Sequence, residues 1–253
     1  LTTKVTSFIT YNVWYIKFVN GTILKALKIC KRMREFIYYS RTAPTAGKYV
    51  NEDNPYESGR LDIPIHSVIA SFFLSHKIRT DVKLHLLFAG PPDPSKHLEL
   101  KPVTEGKTGV DKIYLSKTNI ATIIKKMLHK YHQGKKNEVF PGYWIEKKGF
   151  LELAKELNKE GRKMYILDPS GEDIRTLKLD ENPIFIFGDH KGLPNKEYNR
   201  LKDICIPISL GRRTYFASQA LVIVNNELDR REDSKFSPQE ELHELENSDN
   251  LEK

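Results

Sequence analysis

The chain has 253 residues, 39% of them hydrophobic and 29% charged, with a formal net charge of +8. That is enough for one sizeable core or two small ones. It contains no run near the roughly 18 uninterrupted apolar residues of a membrane span. Two cysteines, Cys30 and Cys205, are too few for a disulfide framework or a cysteine zinc site. A cytoplasmic, reducing setting is expected.

The charge is uneven along the chain. Residues 1–32 carry six basic and no acidic groups, and residues 231–253 carry eight acidic and three basic groups, so the middle keeps about +7 of its own. A basic body of this kind attracts polyanions in a salt-dependent way, and RNA or DNA is a natural partner class. Residues 1–32 mix aromatics and lysines without a clear period and read as an upstream extension, with Met33 as an alternative start. Residues 231–253 are polar and acidic and read as a disordered tail or frayed helix.

Between these ends, strands and helices alternate, which predicts an α/β fold with a largely parallel sheet. "REFIYY" (34–39) is a strand, followed by a polar loop through Gly59. Ile65, Val68, Ile69, Phe72 and Phe73 then recur at helical spacing, with Pro64 in the first turn. "DVKLHLLFAG" (81–90) is the next strand, and 96–115 reads as a short strand pair. Ser116 caps a helix whose Ile120, Ile123, Ile124, Met127 and Tyr131 face inward while Lys125, Lys126 and Lys130 face out. Residues 149–161 form a helix closed by Gly161. "KMYIL" (163–167), "PIFIF" (183–187) and "ICIPISL" (204–210) are strands, and "FASQALVIVNNELDR" is the closing helix.

Three of these strands run into turns: "DPSGED", "GDHKGL" and "SLGRRT". In a parallel sheet such turns gather at the carboxyl edge, where ligands bind. Gly188 either lets a ligand approach the backbone or makes a tight turn with Gly192. There is no G-x-G-x-x-G and no P-loop, so neither a Rossmann dinucleotide site nor an ATPase is indicated. Asp189 and His190, adjacent in sequence, read as loop-shaping and dimer-contacting residues rather than a dyad or a metal pair.

"MREFIYY" at 33, "GRLDIPIHSVIASFFLSHKIRTDV" at 59–82, "NPIFIFGDHKGL" at 182–193 and "ISLGRRTYFASQALVIVNNELD" at 208–229 together resemble the archaeal tRNA (pseudouridine-54 N1)-methyltransferases of the SPOUT superfamily. The resemblance covers about residues 33–230, which would be the methyltransferase domain. It implies a C-terminal deep trefoil knot, an exception to the unknotted rule, and a homodimer. It also implies S-adenosylmethionine as cofactor and tRNA as substrate, with no metal. By the same resemblance, Leu167, Gly188, Leu210, Gly211, Arg212, Arg213, Thr214, Tyr215 and Ala220 surround the cofactor. A relative has cysteine where this chain has Ala220, which leaves a thiol out of the site.

Pseudouridine exposes an N1–H that uridine lacks, and "GRLD" offers a carboxylate and a guanidinium within three positions. Asp62 is expected to position or accept the N1 proton and Arg60 to hold base or phosphate. On pattern alone, Asp62 is equally a helix N-cap. His76 and Arg79, expected at the far end of the same helix, would track RNA. Three alternatives stay open: N1-methylation of a pseudouridine in small-subunit ribosomal RNA, RNA binding without catalysis, and methylation of a small molecule, which would go with no affinity for tRNA.

Overall fold

The computed structural model describes residues 12–19, 22–30, 32–92, 94–102 and 116–233. Strands β1 (Asn12–Val19) and β2 (Thr22–Cys30) pair antiparallel, with Asn12 opposite Cys30 and Val19 opposite Thr22. This corrects the reading of residues 1–32 as aperiodic. The aromatic and β-branched content favours strand, and Asn-Gly between two such runs is a strong hairpin signal.

The body is one eight-stranded sheet in the order β10-β8-β9-β3-β4-β5-β7-β6. Its strands are β3 (Arg34–Ser40), β4 (Val82–Phe88), β5 (Lys96–Leu100), β6 (Asn137–Phe140), β7 (Tyr143–Lys147), β8 (Met164–Asp173), β9 (Ile184–Phe187) and β10 (Cys205–Ser209). From β10 to β4 every neighbour is parallel. From β4 outward through β5, β7 and β6 the pairing is antiparallel. The expected parallel sheet is therefore its first five strands, and β6 and β7 had no counterpart in the sequence reading. The second strand expected within 96–115 lies outside the described residues.

Among the described residues five α-helices cover the sheet: α1 (Asp62–Phe72), α2 (Lys117–His129), α3 (Phe150–Lys159), α4 (Asn195–Leu201) and α5 (Ala217–Asp233). One face is an apolar layer in which Phe36, Leu84 and Leu98 meet Ile65 and Phe72 of α1, Ile124 and Met127 of α2, and Leu221 and Val224 of α5. On the other face, Ile37, Leu87 and Ile186 meet Leu153 and Leu157 of α3 and Leu201 of α4. Local signals agree with the elements they predicted: Ser116 Oγ accepts the Asn119 N–H at 3.0 Å, and Gly161 takes φ +74 just past α3. The short α4, lacking a two-turn apolar repeat, was not anticipated.

Two details set the site. "DPSGED" continues β8 rather than ending it, but the register against β10 jumps: Ile166 faces Pro207, and the next pair is Glu172 with Ile208. Residues 167–171 thus bulge out at the carboxyl edge. Gly171 lies so close to β10 that a Cβ would stand 2.5 Å from the Ile208 nitrogen. Helix α1 also ends at Phe72, earlier than expected, so His76 and Arg79 follow it in a loop closed by a Phe73–Ile78 bridge.

Candidate active site

Strand β3 ends at Ser40, whose Oγ accepts the backbone N–H groups of Thr42 and Ala43 at 3.3 and 3.0 Å and turns the chain over the carboxyl edge. The loop that follows returns to the same spot. Thr42 Oγ1 donates to the Gly59 carbonyl at 2.8 Å, and a Cβ on Gly59 would stand 1.9 Å from the Thr42 carbonyl oxygen. Gly59 has φ +61, and Arg60 follows at φ +62, the non-glycine residue with positive φ among those described. Holding a bulky residue there costs roughly 1–3 kcal/mol, and such strain gathers where geometry is functional.

That strain aims Arg60 at Asp62. Arg60 Nε and Nη2 donate to the two carboxylate oxygens at 3.0 and 3.1 Å, while the guanidinium lies over the Tyr56 ring, 4.6 Å from its centroid. Asp62 is the first residue of α1. The N-cap position belongs to Leu61, which makes no side-chain cap, so Asp62 is a partner of Arg60 and not the helix cap. The positive end of the helix still favours its charge. The hydrogen bonds that Arg60 donates to the Asp62 carboxylate raise the Arg60 pKa. Both side chains remain reachable, at 31% and 26% exposure.

Beside this pair lies a residue that the sequence reading treated only as strand. Tyr38 is fully buried, and its Oη makes no hydrogen bond of good geometry, Ser40 being the side chain that interacts with it. Burial, reinforced by the negative charges of Asp189 and Asp62, pushes the phenol well above its ordinary pKa, so it keeps its proton. A buried hydroxyl without a well-formed hydrogen bond costs about 1–3 kcal/mol. Asp62, Arg60 and Asp189 of the "GDH" loop all act electrostatically on this one phenol.

Asp189 shapes its loop. It accepts the Arg41 backbone N–H at 3.1 Å, Arg41 Nη2 at 3.2 Å and the Lys191 N–H at 2.8 Å. Burial alone would raise its pKa, but these bonds outweigh it and hold the carboxylate below its usual range. Gly188 is explained by the same fold-back: a Cβ there would stand 2.4 Å from the Gly192 carbonyl carbon and 2.5 Å from the Leu193 nitrogen. The missing Cβ makes room for the loop itself. His190 is exposed and forms no part of this cluster.

The third loop is built differently. Leu167 and Leu210, both partly buried, pack on the main core. Ser209 Oγ accepts the Gly211 N–H at 3.1 Å, Gly211 sits at φ +104, and open space surrounds the position its Cβ would take. Arg212, Arg213, Thr214 and Tyr215 are exposed, and among the described residues no hydrogen bond or ion pair engages their side chains. Ala220, in the first turns of α5, is 2% exposed and packs into the core.

Arg79 lies elsewhere. It forms a two-pronged contact with Asp229, which also accepts Arg34 Nη1 at 2.8 Å. Arg34 opens β3, so this cluster sits at the amino edge, opposite Asp62, and the expectation that Arg79 tracks RNA gives way to a structural role. His76 is exposed in the same region. A cleft lined by Tyr39, Phe150 and Arg200 lies between α3 and α4 and includes none of the expected site residues.

The family model described as "Putative SAM-dependent RNA methyltransferase" matches residues 33–233. The tRNA (pseudouridine(54)-N(1))-methyltransferase of Methanococcoides burtonii is 33% identical over 200 residues, 78% of this chain and 96% of the relative. Its counterpart in Methanocaldococcus jannaschii is 34% identical over 208 residues, covering 79% and 98%. A Vibrio parahaemolyticus protein named "Putative pseudouridine methyltransferase" is 34% identical over 203 residues, covering 79% and 100%. Among solved structures, Archaeoglobus fulgidus Nep1 bound to S-adenosylhomocysteine superposes with a TM-score of 0.53 at 12% identity, covering 79% of this chain and 98% of that one. At that identity the likeness is one of fold.

Proposed function

Because this chain belongs to the family of S-adenosylmethionine-dependent RNA methyltransferases, we propose that it methylates N1 of pseudouridine at position 54 in the T-arm of tRNA. The carrying observation is the Arg60–Asp62 pair, held by a strained backbone at the same sheet edge as an open basic loop, with its charges acting on the buried Tyr38 phenol. The archaeal relatives supply the tRNA position by name; the Vibrio relative's name specifies pseudouridine alone.

The loops suit the cofactor. Leu167 and Leu210 offer an apolar floor, and the open 211–215 segment offers polar groups above it, the combination that a flat adenosine ring with a polar rim requires. Gly188 contributes backbone only, and Ala220 shapes the wall from within the core. The bound cofactor supplies an electrophilic methyl with its own leaving group. What remains for the chain is to align N1, exclude water and take the proton. Asp62 accepts the N1 proton as the new N–CH3 bond forms and passes it to solvent. Arg60 positions Asp62, and its third nitrogen, Nη1, is left for an oxygen of the base. The Tyr38 hydroxyl donates to the polar group that completes the site. Arg212 and Arg213 meet phosphate.

The reading extends to assembly. Ile206, Tyr215, Phe216 and Val222 are exposed apolar side chains around β10 and the start of α5, and they support a homodimer across this surface. The register jump on β8 and the close approach of Gly171 to β10 support threading of the chain as a trefoil knot. Among the described residues no helix is long and apolar enough to cross a membrane, and a cytoplasmic location goes with the RNA substrate.

The test is transfer of labelled methyl to T-arm transcripts bearing pseudouridine or uridine at position 54, with a ribosomal hairpin alongside. Labelling of the pseudouridine T-arm alone is expected. Labelling of the ribosomal hairpin instead would overturn the substrate, and no labelling despite cofactor binding would leave an RNA-binding protein without turnover.

A further inference from the structure

A line of buried titratable side chains crosses the sheet on the face that α3 covers, and the proposed methyl transfer uses none of it. Arg162 Nη1 donates to Glu35 Oε1 at 2.9 Å, Glu35 Oε2 meets His85 Nε2 at 3.0 Å, His85 Nδ1 faces His97 Nε2 at 2.8 Å, and His97 Nδ1 meets Glu146 Oε1 at 2.9 Å. Glu35, His85 and His97 are each 1% exposed.

The hydrogen atoms in this line can be counted. Glu35 and Glu146 each face a cation, Arg162 and Lys148, and an ionised carboxylate only accepts. His85 Nε2 and His97 Nδ1 must therefore both carry hydrogen. A neutral imidazole has one N–H, so the nitrogens that face each other, His85 Nδ1 and His97 Nε2, both present bare lone pairs. At 2.8 Å two lone pairs repel unless something positive lies between them. That is either a shared proton or a metal ion.

A third group supplies the further ligand that a metal ion takes. The Glu99 carboxylate, from the same strand as His97, offers an oxygen that lies with one ring nitrogen of each histidine within 4.8 Å of one another. We propose that His85, His97 and Glu99 form a binding site for a divalent transition-metal ion of the zinc type.

The surroundings fit. Zinc takes imidazole nitrogen and carboxylate oxygen, and metal-bound histidines almost always donate their other N–H to a carboxylate or carbonyl. Here Glu35 and Glu146 accept one each. Two nitrogens about 2.0–2.1 Å from zinc at a tetrahedral angle stand roughly 3.4 Å apart, so loading separates the rings by roughly half an ångström. Glu99 is the more open ligand, at 17% side-chain exposure, and Lys136 Nζ reaches its Oε2 at 2.8 Å. The ion would enter there by displacing a lysine. It would pin β4 to β5, where the parallel half of the sheet gives way to the antiparallel half.

The test uses the full chain, stripped with chelator and titrated near neutral pH with ZnCl2 by calorimetry and with CoCl2 by visible absorption. One equivalent should bind, with cobalt bands of a tetrahedral nitrogen–oxygen site. Glu99→Gln should weaken binding by about tenfold or more, while alanine at the exposed His132 changes nothing. His97→Ala should abolish binding, but it opens the core and can fail to fold. The partly exposed Glu99→Gln and the unaltered protein's cobalt spectrum therefore carry the decision. Weak binding of several equivalents that Glu99→Gln does not affect would mean surface metal only and overturn the proposal. So would a nitrogen-15 spectrum showing one proton shared between the two rings and unmoved by zinc.

Discussion

The two edges of the parallel half-sheet handle charge in opposite ways. At the amino edge, Arg34 is 4% exposed and satisfied by Asp81, Asp229 and Glu232, with Arg79 sharing Asp229. At the carboxyl edge, Arg60 and Asp62 are partly open, the side chains of Arg212 and Arg213 are unengaged among the described residues, and Tyr38 Oη is buried without a hydrogen bond of good geometry. Saturation at one edge holds the fold together. Incompleteness at the other leaves groups for a ligand to complete.

The largest expected effect separates the edges by activity. Asp62→Asn keeps the shape and removes the proton acceptor, so methyl transfer should fall by about 10²–10⁴ with cofactor binding retained, as read by a radiolabel assay and calorimetry. Equal loss of cofactor affinity would make Asp62 a binding residue instead.

The converse change is Asp229→Ala at the amino edge. It leaves Arg34 and Arg79 under-paired and should cost about 2–3 kcal/mol of stability in urea unfolding. Activity per folded molecule should be unchanged. A fall in activity without a loss of stability would give this edge a functional role.

Tyr38→Phe sharpens the comparison by a smaller amount. Removing a buried hydroxyl that has no well-formed hydrogen bond should leave stability unchanged or raise it by about 1 kcal/mol, while methyl transfer drops. A destabilised variant with full activity would show that the hydroxyl is satisfied within the fold.

Acid should act mainly through the saturated groups. Burial alone would raise the pKa of Asp229, but hydrogen bonds from Arg79 and Arg34 outweigh it, and Asp189 is lowered by Arg41 in the same way. A carboxylate whose folded pKa is depressed stabilises fully above its unfolded value, near 4, and loses that contribution as pH falls through the folded value. Melting temperature should therefore hold steady from neutral pH to about 5 and decline below about 4. Asp189→Asn should flatten that decline.

What could be read from the sequence was local. The Ile65–Val68–Phe72 period announced α1, Ser116 and Gly161 announced helix ends, and strands ending in turns announced the carboxyl edge. Pairings made by the sheet were hidden. Glu35 reaches His85 across 50 positions, His85 reaches His97 across 12, and His97 reaches Glu146 across 49, and no spacing rule joins them. Tyr38 was hidden for another reason: in an apolar strand it looks like core, and only its hydroxyl, without a hydrogen bond of good geometry, sets it apart. The Arg60–Asp62 pair was visible as two residue types, but its bidentate geometry depends on two consecutive left-handed residues that the sequence marks only with Gly59.

The most direct test of the open-edge account is an amide chemical-shift titration of the nitrogen-15-labelled chain with S-adenosylhomocysteine. The account predicts that the largest shifts fall in residues 167–171, 188–193 and 210–217, with the Arg34–Asp229 region unmoved. Shifts centred instead on the cleft between α3 and α4, around Phe150 and Arg200, would contradict it.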